Sequence, residues 1–88
     1  MLTMTPAAGG YLCDVLERAQ APEETAIRLE IEGNTLKSKL DQARPGDATF
    51  DHDGRQVLVL DHRVAQLLEG STLDVEQTSQ GGALILLH

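Results

Sequence analysis

The sequence predicts a small α+β domain made mostly of antiparallel strands, with an N-terminal helix and a short helix before the last hairpin. Segments of alternating apolar and polar residues mark strands, and Gly-containing turns join them into hairpins. Two other segments repeat their apolar residues at helical spacing. At 88 residues the chain is long enough for one domain with a modest core, which we place at residues 1–88.

The first helix is predicted to begin at Thr5 as N-cap and Pro6 as first helical residue. Gly9 and Gly10 each weaken the helix by roughly 1 kcal/mol, so we expect its start to fray or to pack closely against another element. The segment Ala-Pro-Glu-Glu at 21–24 is expected to end it. Its apolar face is predicted to contain Tyr11, Leu12, Val15, Leu16 and Ala19.

The segment "AIRLEIE" has the clearest strand pattern, with Arg28, Glu30 and Glu32 on its polar face. Gly33-Asn34 predicts a two-residue hairpin turn, because both residues tolerate positive φ. The following segment "TLKSKLD" alternates again. Its two lysines are expected to lie across from the two glutamates, an arrangement that stabilises a hairpin by a few tenths of a kcal/mol per pair.

The second half of the chain predicts two more hairpins around a short helix. Residues 44–47 form a turn, and "ATF" pairs with "RQVLVL" across residues 51–54, where Asp-Gly is typical turn chemistry. The segments "TLDVEQ" and "ALILL" pair across residues 78–82. Between these hairpins Gly70 is placed to end a helix. The apolar residues of that helix are predicted to be Val64, Leu67 and Leu68.

Composition limits the function classes. The formal net charge is −7, which disfavours binding to nucleic acid or to an anionic membrane surface. Tyr11 and Phe50 are the only aromatic residues, so the base-stacking platform of single-strand binders is missing. No apolar run approaches the ~20 residues of a membrane span, and no signal peptide is recognisable. With a single cysteine, Cys13, we expect a cytoplasmic protein.

The ordered segments resemble the HesB-like family of A-type iron–sulfur cluster carriers. The opening "LTMTPAAGGYLCDVLERA" is similar to the short strand and Ala-rich helix that begin the family, and "AIRLEIEG" to its first long strand. "RPGDATFDHDGRQVLVLDHRVAQLLEGSTLDV" is similar to its acidic turn, the following strand, its short helix and its L-x-G-x-x-x-D exit. The similarity spans nearly the whole chain and implies the HesB-like fold.

The same resemblance counts against the family's activity. Its members bind a cluster or iron through one cysteine in a loop after the first long strand and two in a Cys-Gly-Cys tail. Here the Gly33-Asn34 turn replaces that loop, and the sequence ends at His88, directly after the last predicted strand. Cys13 matches none of the three positions. We therefore expect a degenerate member without cluster ligands, and we predict no cofactor.

Asp61-His62 and Asp51-His52-Asp53 are the polar groupings that resemble a metal or catalytic site. Asp61 stands where a strand gives way to a helix, so it is interpreted as a helix cap. The tripeptide occupies a predicted turn, so a solvated hairpin tip is the preferred interpretation. A divalent metal needs three or four ligands in fixed geometry. Asp51, His52, Asp53 and His62 are therefore weak metal candidates, and an approach of His52 to His62 would strengthen them.

The sequence does not predict an enzyme. Asp14 and Glu17 flank Cys13 and are expected to raise its pKa, which disfavours the reactive thiolate. No nucleophile stands beside a plausible base, although residues distant in sequence could still converge.

We predict a non-catalytic domain with a protein partner or a homo-oligomeric state. The apolar segment "ALILL" motivates this prediction, since it either completes a buried sheet or leaves an edge for a partner strand. The alternative function is an iron–sulfur assembly accessory protein that binds iron or another metal weakly through Asp and His side chains.

Overall fold

The computed structural model describes residues 1–87, which form seven strands and two helices. In chain order these are β1 (Thr3–Met4), α1 (Pro6–Arg18), β2 (Thr25–Glu32), β3 (Thr35–Gln42), β4 (Ala48–His52), β5 (Arg55–Leu60), α2 (His62–Leu67), β6 (Thr72–Thr78) and β7 (Gly81–Leu87). The predicted α+β class is confirmed, as are the first helix, the three hairpins and the short helix.

The strands form two sheets, a three-stranded one of order β1-β6-β7 and a four-stranded one of order β3-β2-β5-β4. The hairpin partners are antiparallel, whereas β1 pairs with β6 and β2 with β5 in parallel. Helix α1 packs against strands of both sheets. The core between them is aliphatic, as expected from the scarcity of aromatic residues. Its largest fully buried side chains are Leu12, Leu16, Leu29, Leu58, Leu60, Leu73, Val57, Val59 and Val64.

Helix α1 begins as the sequence predicts. The Thr5 hydroxyl accepts a hydrogen bond from the Ala8 backbone N–H at 3.1 Å, and Pro6 is the first helical residue. Gly9 is buried, and a Cβ built on it would lie 2.5 Å from Nδ1 of His52. Of the two outcomes expected for this turn, close packing is therefore the one observed.

The end of α1 differs from the prediction. The helix ends at Arg18, so residues 21–24 lie beyond it. Gln20 adopts a φ of 54°, which a continuing right-handed helix does not allow. Ala19 becomes the C-cap and is exposed instead of lying on the apolar face.

The β2–β3 hairpin has the predicted turn, but only one turn residue has positive φ. Gly33 adopts a φ of 61°, whereas the φ of Asn34 is not positive. This pattern is typical of hairpin turns that need glycine at the first position only. The expected charge pairs form on diagonals, since Lys37 lies directly opposite Glu30 while Lys39 lies opposite Arg28. Lys37 Nζ lies 3.1 Å from Glu32 and Lys39 Nζ 3.5 Å from Glu30.

Two further predictions need correction in the second half of the chain. Leu67 is 55% exposed, because α2 ends there and the chain turns to bury Leu68 instead. In the last hairpin Thr78 already pairs with Gly81, so the connection is two residues long and not five. The β4–β5 turn is as predicted, with positive φ at Asp53 and Gly54.

Candidate functional site

Asp61 is the N-cap of α2. Its Oδ1 accepts a hydrogen bond from the Val64 backbone N–H at 2.8 Å. The neighbouring His62 is the first residue of the helix, and its side chain is exposed. The Asp61 carboxylate therefore satisfies a backbone N–H of the first helical turn, which is the role of an N-cap.

The tripeptide Asp51-His52-Asp53 lies at the tip of the β4–β5 hairpin. Nε2 of His52 is 3.4 Å from Oδ2 of Asp53, and both aspartates are exposed. The imidazole of His52 is half-buried because it packs over Gly9 and Gly10 of α1. His52 thus serves as packing between the hairpin and the helix.

The fold does not bring His52 and His62 together. His52 pairs with Arg55 at the start of β5, while His62 follows Leu60 at the end of the same strand. The length of this strand alone separates them by roughly 17 Å. Within residues 1–87 no group of three or more His, Cys, Asp or Glu side chains is placed to hold a metal ion.

Cys13 lies at the rim of α1, partly exposed. Its Sγ is 3.8 Å from Oε1 of Glu17, one helical turn away. Burial and the charge of Glu17 raise the pKa of the Cys13 thiol, and Asp14 adds to this while Arg55 opposes it. The thiol form is therefore favoured, in keeping with the expectation from its acidic neighbours.

A buried charge cluster around Arg28 was missed by the sequence analysis. Arg28 is only 2% exposed, although the alternation of β2 places it on the same face as Glu30 and Glu32. Its Nε lies 2.7 Å from Asp41 and its guanidinium 2.6 Å from Asp47, and it also donates to the Gln42 carbonyl at 3.1 Å. Asp47 in turn accepts from the Arg44 backbone N–H at 2.8 Å, which fixes the turn that follows β3.

The charges in this cluster stabilise one another. The hydrogen bond from Arg28 holds the pKa of the Asp47 carboxyl below its usual range. The pKa of Asp41 is lowered by Arg28 and then by the Gln42 backbone N–H. The sequence does contain a signal for this cluster, since Arg28 is the one basic residue of β2 and the turn at 44–47 ends in an aspartate. The cluster is closed to ligands because its donors and acceptors are used within it.

An apolar cleft of about 240 Å³ lies between α1 and the edges of the two sheets. Helix α1 supplies Tyr11, β3 supplies Leu36 and β7 supplies Leu84. The Tyr11 hydroxyl donates to the Gly82 carbonyl at 3.1 Å and so ties the helix to β7. Along the described residues β7 pairs with β6 alone, which leaves its other edge without a strand.

Neither helix among residues 1–87 combines the length and apolar character needed to cross a membrane.

Comparison with solved structures identifies the fold. The chain is similar to Escherichia coli SufA, involved in biosynthesis of iron–sulfur clusters, with a TM-score of 0.72 and 23% identity over 97% of this chain and 82% of that one. A protein from Aquifex aeolicus gives a TM-score of 0.74 and 20% identity, with 99% and 90% covered. IscA, solved with a [2Fe-2S] cluster, gives 0.58 and 24%, with 98% and 80% covered. No protein-family model and no curated protein matches the sequence.

The fold is therefore that of the A-type iron–sulfur carriers, as the sequence resemblance implied. The chain holds a single cysteine, as in a degenerate member of that fold without the ligand cysteines. The positions of Cys13 and of the β2–β3 turn are therefore the observations on which a functional proposal depends.

Proposed function

We propose that this protein is a non-catalytic domain on the A-type carrier fold that does not carry an iron–sulfur cluster through cysteine and that acts through contacts with other protein chains. The observation that carries the proposal is the position of Cys13. It lies on α1 with its Sγ 3.8 Å from Oε1 of Glu17, whereas the turn in which the resemblance places the first ligand contains Gly33 and Asn34.

These two positions lie on different elements of the fold. Cys13 is inside helix α1, whereas Gly33 and Asn34 join β2 to β3. The side-chain contact recorded for the Cys13 thiol is with Glu17 of its own helix. Cys13 therefore does not take the place of a ligand in the β2–β3 turn.

The surroundings of Cys13 also disfavour metal ligation. A cluster binds thiolates, normally four of them or a mixture with histidine. The Cys13 pKa is raised by burial and by Glu17. Two copies of the chain would supply only two thiols, each beside an acidic side chain.

The test is an anaerobic purification followed by elemental analysis, visible absorption spectra and thermal melts with ferrous iron, zinc and a chelator. We expect iron and zinc far below one per chain and no absorption from iron–thiolate bonds after incubation with iron and sulfide. We also expect metal and chelator to change the melting temperature by less than about 1 °C, since only a ligand of the folded state raises it.

Three variants identify which residues hold the metal if metal is found. Near-stoichiometric metal that disappears in Cys13→Ser would mean thiolate ligation and would overturn the proposal. Metal that survives Cys13→Ser but disappears in His52→Ala or Asp53→Asn would place the site at the β4–β5 tip and would support the metal-binding accessory role instead.

A further inference from the structure

The apolar cleft is bordered by β7, a strand with one free edge. The other edge strands of residues 1–87 are protected, since β1 has two residues, β3 carries Lys37 and Lys39, and β4 has an irregular register at Phe50 and Asp51. Shortness, charge and bulges are the devices that keep an edge from pairing with another chain. Strand β7 is seven residues long and contains no charged residue. Its backbone is therefore open to an added strand.

The backbone groups that β7 offers to such a strand lie in its second half. Thr78 and Gly81 pair directly across a two-residue turn, so their backbone groups face each other. These groups alternate in direction along a strand, so those of Gly82, Leu84 and Leu86 point away from β6. The Gly82 carbonyl already accepts a hydrogen bond from a hydroxyl of α1. Leu84 and Leu86 are therefore the residues that can form ladder hydrogen bonds with an added strand.

The inner face of β7 determines half of the side chains that the added strand needs. Leu84 and Leu86 lie opposite Val75 and Leu73, and Leu73 is fully buried, so this face is turned toward the core. Leu84 also lines the cleft, together with Leu36 of β3. Side chains of an added strand that lie beside Leu84 and Leu86 point to the same side and reach the cleft. Apolar side chains fit there.

The outer face of β7 determines the other half. Ala83 lies opposite Glu76 of β6 on this face, and both residues are exposed. Within residues 1–87 Glu76 forms no ion pair. A Lys or Arg beside Ala83 can lay its long stem over this small residue toward the Glu76 carboxylate, two strand spacings or roughly 10 Å away. Basic side chains fit the outer face.

We propose that the β7 edge and the cleft together bind an extended segment of a partner protein in which apolar residues alternate with Lys or Arg. The backbone of this segment continues the three-stranded sheet, its apolar side chains enter the cleft, and its basic side chains approach Glu76. Main-chain hydrogen bonds supply the affinity of such strand addition, and the side-chain pockets supply its specificity. The inference rests on the proposed interaction function and names the chemistry of the partner.

The charge of the whole chain favours the same partner. The formal net charge is −7, which attracts a basic segment and repels an acidic one. The lysines of β3, on the other side of the cleft, are already paired with Glu32 and Glu30. The Debye length falls from about 8 Å at 0.15 M ionic strength to about 3 Å at 1 M. Binding is therefore expected to weaken as salt is added.

The first test is a fluorescence anisotropy titration with the labelled peptide acetyl-KLKLKLK-amide, whose alternation is the same in both strand directions. Acetyl-ELELELE-amide keeps the apolar residues and inverts the charge. A third peptide carries N-methyl-leucine at the centre of KLKLKLK, which keeps the charge and removes one backbone donor. We expect the first peptide to bind and each of the other two to bind at least about tenfold more weakly.

The second test measures the contribution of the acidic residue on the outer face. In Glu76→Gln we expect the dissociation constant of the KLKLKLK peptide to rise about threefold, as for an exposed ion pair. Glu24→Gln is the matched control, because Glu24 is an exposed glutamate in the segment between α1 and β2. We expect the dissociation constant in that variant to stay within about 1.5-fold of the parent value.

Amide hydrogen exchange, followed by NMR with and without the peptide, locates the binding site. The N–H groups of Leu84 and Leu86 should exchange more slowly in the complex, because they gain hydrogen-bond partners. Ser38 provides the internal control. Its backbone groups point away from β2 on the other free edge beside the cleft, so its exchange rate should not change.

Equal binding of the three peptides would overturn the inference, and so would protection at Ser38 in place of Leu84 and Leu86. Protection of Leu84 and Leu86 that grows with protein concentration in the absence of peptide would mean that a second copy fills the edge, which also overturns it. Metal analysis of the same samples tests the proposed function separately. A metal-free chain that does not bind the peptide contradicts this inference alone, and a metal-loaded chain that binds it contradicts the absence of ligands alone.

Discussion

Acidic side chains gather at two places in the four-stranded sheet, and these places differ in what surrounds them. At one, Asp41 and Asp47 face the buried guanidinium of Arg28. At the other, Asp51 and Asp53 extend into solvent at a hairpin tip. The first place holds the chain between β3 and β4 in position, while the second holds only its own turn. A buried cation on a neighbouring strand, and not the local density of acidic residues, makes the difference.

The largest expected effect comes from removing that cation. Replacing Arg28 with Met leaves Asp47, whose side chain is 5% exposed, without its charge partner. Breaking a buried ion pair in this way typically costs about 3–5 kcal/mol. We expect a loss of this size in the free energy of unfolding, measured by urea denaturation at neutral pH.

Arg44→Met is the matched control, because Arg44 pairs with Asp41 from a side chain that is 64% exposed. We expect it to cost less than about 1 kcal/mol, as surface pairs do. Equal losses of unfolding free energy in the two variants would show that the burial of Arg28 adds nothing to the stability of its ion pairs. The buried aspartates would then differ little from the exposed ones at the hairpin tip.

The cluster should also make stability depend on pH. The pKa values of Asp41 and Asp47 are lowered in the folded chain, chiefly by Arg28, so the unfolded chain binds their protons first as the pH falls. Their contribution to stability is complete above the unfolded pKa and is lost as the pH falls through the folded values, from about pH 5 downward. Urea titrations across this range should show a smaller loss in Asp47→Asn than in the parent.

Substitutions at the hairpin tip provide the comparison for this measurement. Asp51→Asn removes an exposed carboxylate that makes no ion pair in the described part of the chain. We expect its acid-induced loss of stability to match that of the parent. A loss as reduced as in Asp47→Asn would mean that the tip contributes to the pH dependence as much as the buried cluster does.

Sequence reasoning predicted the elements of this fold well, because their signals are local. The Thr5-Pro6 start, the Asp53-Gly54 turn and the alternation of β2 each depend on residues adjacent in the chain. The family resemblance supplied the arrangement of these elements, which local patterns do not contain.

The candidate site was less predictable, because burial there depends on contacts across the fold. Alternation placed Arg28 on a polar face, but the end of β3, which supplies Asp41, and the turn after it, which supplies Asp47, cover that face. Leu67 fits helical spacing, yet α2 ends at that residue and leaves it exposed. The distance between His52 and His62 could not be predicted, because it depends on the strand β5 that lies between them.

The smallest effect concerns the half-buried histidine of the tip. A Cβ added at Gly9 would lie 2.5 Å from Nδ1 and 2.8 Å from Cγ of His52, atoms near the base of the ring that cannot move without shifting the hairpin. Overpacking of this kind costs about 1–3 kcal/mol, and the gain in helix propensity returns about 1 kcal/mol. We therefore expect Gly9→Ala to lower the free energy of unfolding by roughly 1 kcal/mol.

Gly10→Ala separates the helix effect from the contact, since its Cβ would lie 3.9 Å from Nε2 of His52, an ordinary distance. We expect that variant to gain up to about 1 kcal/mol. Combining Gly9→Ala with His52→Ala should recover the overpacking loss in a double-mutant cycle. Gly9→Ala could instead stabilise the chain as Gly10→Ala does, which would mean that His52 is free to move away from the helix. The whole β4–β5 tip would then be a solvated turn. Its side chains would be available to a ligand, unlike those of the Arg28 cluster.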